Sequence, residues 1–343
     1  RRIRGELPSG WDADLVSFTE DPMGMPLRAA SGKVLNLIAR RVPELVGGSG
    51  DLSPSTKTWL EGCPVVQADT PGGRNVHWGI REHAMAAAVN GMALHGGFIP
   101  FCSTYLVFSD YMRPAMRIAS LSHIPSLWIF THDSIGVGED GPTHQAVEQL
   151  ASLRAMPNLV VLRPADANEV IAAWKYILTH RQQPIALVLA RQSVPTLDRE
   201  IFAPADGLLK GAYVLKDYGE GQPDLILMAS GSEVSLVVKA AEILLEEGLR
   251  TRVVSFPSWE LFKTQDAAYR HSVLMPDVKV RLAVEAGVGQ GWERWVGDDG
   301  DVMSVETFGA SAPGPVLYQE YGLTPENIAA RVRDLIARRT AAD

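Results

Sequence analysis

The chain has 343 residues, a formal net charge of -8, and 46% hydrophobic against 21% charged residues. That length allows two domains of ordinary size, each able to bury a core, and the negative balance excludes a nonspecific grip on nucleic acid. No apolar run reaches the roughly 18 residues a membrane helix needs.

The opening Arg1-Arg2-Ile3-Arg4 lacks an initiator Met and the apolar centre of an export signal, so a piece of a longer polypeptide is expected. Residues 1–26 are rich in Pro, Gly and Asp without a sustained period and read as a linker or arm. From Arg28 to Val42, Val34, Leu35, Ile38 and Val42 recur at helical spacing, with Pro43 as a stop. Strands and helices then alternate. "LVGGSGDLS" predicts a strand running into a Gly-rich turn, and "NVHWGI" a strand followed by the helix "REHAMAAAVNGMAL". "SLWIF", "LVVLRP" and "IALVLA" predict strands; "THQAVEQLASLRAM" and "ANEVIAAWKYILTH" predict helices. Pro195 and Pro204 mark a boundary. Beyond it "DLILMAS", "RTRVVSF", "KVRLAVEA" and "DVMSVETFG" predict strands around the helix "SEVSLVVKAAEILLEEG". "TPENIAARVRDLIARR" predicts the last helix, with Thr324 as cap and Pro325 in the first turn. This rhythm predicts an α/β chain of two domains with largely parallel sheets flanked by helices, over 27–200 and 201–343. Cys63 and Cys102 are far apart, which excludes a CxxC motif; both read as buried fillers, and a cytoplasmic location follows.

In parallel sheets ligands sit beyond the carboxyl ends of strands, so the turns there are the places for chemistry. "GGSGDLSPS" offers glycines, hydroxyls and free N–H groups that suit an anion, or simply a capped connection. Glu82 in Arg81-Glu82-His83 stands at a helix start, which favours its charged form, whereas burial raises a carboxyl by up to roughly 3–5 pKa units. Tyr105, Phe108 and Tyr111, spaced by three, line a third of a helix, as a ring-binding wall or as core. Pro114 predicts a kink or break. The loop "THDSIGVGEDGPTH" contains G-x-G-x-x-G, but Glu139 and Asp140 would repel a pyrophosphate and Pro142 stands where a helix should run. His132, Asp133, Asp140 and His144 in that loop suit proton transfer and polar-substrate binding or a metal, and the spacing fits no standard zinc site. Arg191, after "IALVLA", suits a phosphate or carboxylate, or a surface ion pair. Ser230 and Glu233 read as a capping box.

Taken together, "LVGGSGDLSPS", "HWGIREHAMAAAVNGMALHGGFIPF", "THDSIGVGEDGPTHQAVEQLASLRAMPNL", "RPAD", "LARQ", "VVSFPS" and "TFGASAPG" resemble transketolase over nearly the whole chain. The resemblance implies the pyrimidine-binding and C-terminal domains of a thiamine-diphosphate enzyme. Such an enzyme moves a two-carbon ketol unit from a ketose phosphate such as xylulose 5-phosphate to an aldose phosphate such as ribose 5-phosphate, in the pentose phosphate pathway. It implies Glu82 as the buried acid that activates the cofactor, with Tyr105, Phe108 and Tyr111 around its pyrimidine and Asp51 near the cofactor or the dimer contact. His132, Asp140 and His144 would contact substrate hydroxyls or relay protons, and Arg28, Ser55 and Arg191 would bind the phosphate end. The family's G-D-G motif for the diphosphate and a divalent metal (Mg or Ca) is absent here. The grip on those groups is expected from a missing N-terminal domain, and a second copy in a homodimer or that domain is expected to complete the site. The alternatives are a dihydroxyacetone synthase or deoxyxylulose-phosphate synthase type of enzyme, or a non-catalytic dimerisation module.

Overall fold

The computed structural model describes residues 2–341; Arg1 of the expected arm and Ala342–Asp343 of the expected C-terminal domain lie outside them. The first unit runs β1 (Asp21–Pro26), α1 (Leu27–Arg41), β2 (Leu45–Ser49), α2 (Ser53–Thr56), α3 (Glu82–His95), β3 (Ile99–Tyr105), α4 (Ser109–Leu121), β4 (Leu127–Thr131), α5 (Gln149–Arg154), β5 (Val160–Leu162), α6 (Ala167–Thr179), β6 (Ile185–Leu189) and β7 (Ser193–Thr196). Its parallel sheet has the order β2-β3-β4-β6-β5. Every residue of β2, β4, β5 and β6 is buried, as expected where helices cover both faces. Alternate strand residues feed two cores. Phe101, Ile129 and Leu187 meet Val34 and Ile38 of α1 and Trp174 of α6. Cys102, Trp128 and Val188 meet Met85 of α3, Met112 of α4 and Leu150 of α5.

The second unit runs β8 (Tyr213–Tyr218), β9 (Leu225–Ala229), α7 (Val234–Glu246), β10 (Thr251–Ser255), α8 (Trp259–Thr264), α9 (Ala267–Leu274), β11 (Val280–Val284), α10 (Glu293–Val296), β12 (Asp301–Met303), α11 (Gly314–Glu320) and α12 (Pro325–Thr340). Its sheet has the order β12-β11-β9-β10-β8, parallel except for β8. Helices α7 and α12 cover one face, and Phe262, Trp292 and Trp295 fill the other. Thr324 caps α12 by accepting from Asn327 N–H at 3.3 Å. Among the described residues no helix is long and apolar enough to cross a membrane.

Several local expectations are corrected. The arm ends in a strand, β1, which pairs antiparallel with β7. "NVHWGI" is an irregular segment held by single bridges rather than a strand: Asn75 is buried and donates to Leu60 O and Cys63 O. Gly48 of β2 makes room for it, since a side chain there would overlap the Val76 carbonyl. The missed β3 occupies the run before Tyr105, so the three aromatics sit on a strand end, a turn and a helix. Helix α4 continues through Pro114 to Leu121. Cys102 is buried but Cys63 only partly. Glu233 makes no capping box; it turns instead to Arg163.

That contact belongs to the seam between the units. Arg163, 1% exposed, follows β5. Its Nε donates to Asp133 Oδ2 at 2.9 Å, its Nη1 to Ser230 O at 2.8 Å, and it pairs with Glu233. Arg154 of α5 grips Glu285, beyond β11, through two bonds of 2.7 and 2.9 Å. Burial opposes the charge on Arg163, but Glu233, Asp133 and Glu285 outweigh it. Burial raises the Asp133 carboxyl, with Arg163 working against the rise. The Arg163→Met chain should lose about 3–5 kcal/mol of unfolding free energy in a urea titration, because three buried carboxylates lose a shared counter-ion. A loss under about 1 kcal/mol would mean that the cluster discharges by taking up protons.

Candidate active site

The carboxyl ends of the first sheet converge. Asp51 and Ser55 follow β2, Tyr105 closes β3, His132 follows β4 and Arg191 follows β6. Arg28 joins them from the first turn of α1, whose start is tied to this edge by the Arg28 N–H bond to Ala190 O at 3.3 Å. Residues distant in sequence meet because in-register parallel strands end at one level: Ser49 pairs with Ser103, Tyr105 with Thr131, and Thr131 with Leu189.

The contacts are specific. Arg28 Nη1 donates to Ser55 O at 2.7 Å and to Ser55 Oγ at 3.1 Å, and Ser55 Oγ lies 2.8 Å from Tyr105 Oη. The Tyr105 ring stacks on His132 with centroids 3.6 Å apart. Tyr105, Phe108 and Tyr111 then form a ladder with centroid steps of 5.8 and 6.2 Å. His144 stands edge-on to Tyr105 and Phe108, at 6.1 and 5.5 Å. Each histidine is oriented by the threonine before it: His132 Nδ1 lies 2.7 Å from Thr131 Oγ1, and His144 Nδ1 lies 2.8 Å from Thr143 Oγ1. The sequence reading missed both threonines, although the repeated Thr-His pair was visible. Asp133, grouped with these residues from sequence, points instead into the ion cluster at the seam.

His132 is 2% exposed and adopts φ +59°. Burial first, then Arg28, Arg191 and His144, pull its pKa down to about 3. The ring is therefore neutral at pH 7, with one nitrogen free to donate or accept. Burial and then Arg191 also lower the Arg28 guanidinium, against the pull of Tyr105 and Asp140. Arg28 Nε is buried without a hydrogen-bond partner. The arrangement is an electropositive hollow beside a stack of flat rings, suited to an anionic, hydroxylated ligand next to an aromatic one. A separate cavity of about 870 Å³, lined by Gly136, Gln192 and Tyr318 among others, contains none of the candidate site residues.

Residues 23–196 match the transketolase pyrimidine-binding domain and residues 211–324 the transketolase-like C-terminal domain. The chain belongs to the transketolase family. It is 52% identical to a transketolase from Halalkalibacterium halodurans over 98% of this chain and 50% of that protein. A transketolase from Pichia stipitis, solved in complex with sedoheptulose 7-phosphate, superposes with a TM-score of 0.93 at 38% identity, covering 99% of this chain and 50% of that one. A chain described as a split-gene transketolase, inactive β4 tetramer, superposes with a TM-score of 0.73 at 26% identity, covering 92% of this chain and 99% of that one. This chain thus spans about half the length of the curated relatives it matches.

One expectation for a transketolase site is corrected. Glu82 is not enclosed within this chain. It is half-buried in the first turn of α3, and its carboxylate has no hydrogen bond or ion pair among the described residues. The reason is its place at the outer end of α3, whose flank bears the exposed Ala84, Ala87 and Leu94. Asp51 (φ +59°) and Asp140 are exposed, and Tyr111 is 64% exposed at the open end of the ladder.

The His132 environment has a measurable consequence. Because folding favours the neutral ring, its contribution to stability is complete above the ordinary value of 6.5 and is lost as pH falls towards about 3. In a histidine-selective NMR titration His132 should keep the neutral signal down to about pH 4. A midpoint near the ordinary value would show the ring open to water.

Proposed function

We propose that this chain is the catalytic-partner portion of a transketolase. Completed by the diphosphate-binding portion, it transfers a two-carbon ketol unit between a ketose phosphate and an aldose phosphate, in the pentose phosphate pathway of the cytoplasm. The observation that carries this reading is the junction of the aromatic ladder with the Arg28–Ser55–His132 cluster at one sheet edge. A scaffold module has no use for two neighbouring arginines and an uncharged histidine there. With Ser55 they also favour a phosphorylated acceptor over the dihydroxyacetone synthase or deoxyxylulose-phosphate synthase alternative, which loss of Arg28, Ser55 or Arg191 would have favoured.

The residues fit thiamine diphosphate in part. Phe108 and Tyr111 offer ring faces, and Glu82 offers a carboxylate without partners. Bound there, the cofactor supplies a nucleophilic carbon and an electron sink for breaking the bond between two sugar carbons. Glu82 is the group that holds a proton at the pyrimidine ring nitrogen. His132, neutral and oriented by Thr131, and His144, oriented by Thr143, donate to or accept from sugar hydroxyls as they lose and regain protons. Asp140 takes a further hydroxyl at the rim. Arg28 and Arg191 repel one another until a phosphate enters; Ser55 bonds the same end. Grip on the diphosphate and its divalent metal is assigned to the portion outside this chain.

The reading also accounts for the half-open Glu82. Ile80, Leu94, Tyr111, Ile118 and Leu121 are between 51% and 78% exposed around α3 and α4. So much apolar surface calls for cover, and a second copy, in a homodimer, together with the N-terminal domain would provide it and complete the burial of the acid.

In the full-length enzyme, Glu82→Gln should lower kcat at least about 10²-fold, since an amide cannot share the proton; near-normal turnover would sink the assignment. Arg191→Ala should raise KM for phosphorylated sugars about 10-fold or more through loss of a charged hydrogen bond, while leaving KM for unphosphorylated acceptors unchanged. An equal rise for both would remove the phosphate role.

A further inference from the structure

The segment "TFGASAPG", residues 307–314, belongs to the second unit and carries none of the residues assigned to the reaction. It nevertheless lies against the loop that carries His132, Asp140 and His144. Gln145, 2% exposed, donates from one Nε2 to Gly138 O at 2.9 Å within the loop and to Ala310 O at 2.9 Å across the seam. Ser311 Oγ donates to Glu139 O at 2.5 Å. The fit is close: a side chain on Gly309 would overlap Gln145 Oε1 and push the amide aside, and one on Gly314 would crowd the Gly136 carbonyl. Backbone bonds from His144 and Gln145 N–H both return to Gly141 O, at 3.0 and 3.1 Å, so the turn that follows Asp140 is closed on itself.

We infer that Gln145 is a positioning residue, through which the 309–311 segment of the C-terminal domain fixes the Asp140–His144 turn at the height where both side chains meet the substrate. The inference rests on the reading that this turn contacts the sugar. Both bonds of the Gln145 amide nitrogen go to backbone carbonyls, one in its own loop and one across the seam. It acts through its neighbours. The second unit, which contributes no side chain to the proposed chemistry, thereby acquires a part in substrate specificity.

The test is a double-mutant cycle in the full-length enzyme, with His144→Ala as reference. Gln145→Ala removes the tether. Gly309→Ala displaces the Gln145 amide while leaving the residue in place. Each should raise KM for the ketose phosphate about tenfold, as expected for a displaced binding group, with kcat changed less than about twofold. The double variant should be no worse than Gln145→Ala alone, since both break one contact. Amide exchange of residues 139–145 should quicken in each variant and no further in the double. Ser311→Ala, at an exposed position, gives a milder version should the others fold poorly, with a smaller KM rise in the same direction. Additive effects, or a lower Tm with KM unchanged, would overturn the inference while His144→Ala still raised KM. Should His144→Ala also leave KM unchanged in an active enzyme, the reading of the loop itself would fall.

Discussion

A fully buried guanidinium cannot be left to solvent, and Arg163 imposes that constraint on both units. It sits one residue past β5, on the edge where ligands gather, and its counter-ions come from three directions: Asp133 beyond β4, Glu233 before α7 and Glu285 beyond β11. Charge of this kind adds little net stability over a well-packed apolar seam, but it is costly to break and specific in geometry. It allows one docking of the second sheet on the first. Because Asp133 directly follows His132, the docking also fixes the start of the loop that carries the histidines. The φ of +59° at His132, uncommon though tolerated for histidine, is held from both sides: by stacking on Tyr105 and by the anchored aspartate.

The electrostatics of the candidate site follow from the same crowding. Burial first, then Arg28, Arg191 and His144, disfavours the charged form of His132, and burial followed by Arg191 disfavours that of Arg28. The histidines lie at the junction of the hollow and the aromatic ladder, and His132 yields by staying neutral. One end of the site therefore holds the two arginines and the neutral His132 lies at its junction with the rings, an arrangement suited to a molecule with an anionic group at one end and hydroxyls along its length. The Ser55–Tyr105 bond links the two regions directly, so the arginine end and the first ring of the ladder share one hydrogen-bonded unit.

Much of this was legible in the sequence. The fully apolar runs at β4 and β6 announce strands covered on both faces, and the polar residues right after them announce the site. What escaped had identifiable causes. The "NVHWGI" run has strand-like composition, but it meets β2 only through a single bridge at Asn75, whose side chain is taken by two loop carbonyls. Strands β1 and β7 bond to each other across nearly the whole first unit, a pairing that no local pattern encodes. Strand β8 shows a partial alternation, with Tyr213 and Leu215 inward, that a period-two reading could have found. Ser230-x-x-Glu233 has the spacing of a capping box, yet a buried Arg163 competes for the carboxylate and wins, because a charge-assisted bond in a dry seam outweighs a helix cap.

The half-exposed Glu82 bears on what a single chain can be. A carboxyl that must carry a shared proton near neutral pH needs desolvation strong enough to overcome the pull of a helix N-terminus. Nothing on its open side in this chain supplies that desolvation, and the apolar flank of α3 and α4 beside it is unclothed. The two facts have one physical remedy: a surface that covers the apolar flank also removes water from the acid. In the proposed reaction, covering the flank and desolvating the acid are then one event. The chain folds around its two sheets and brings its arginines and histidines to one sheet edge, while the carboxylate at position 82 keeps an open side next to that apolar flank.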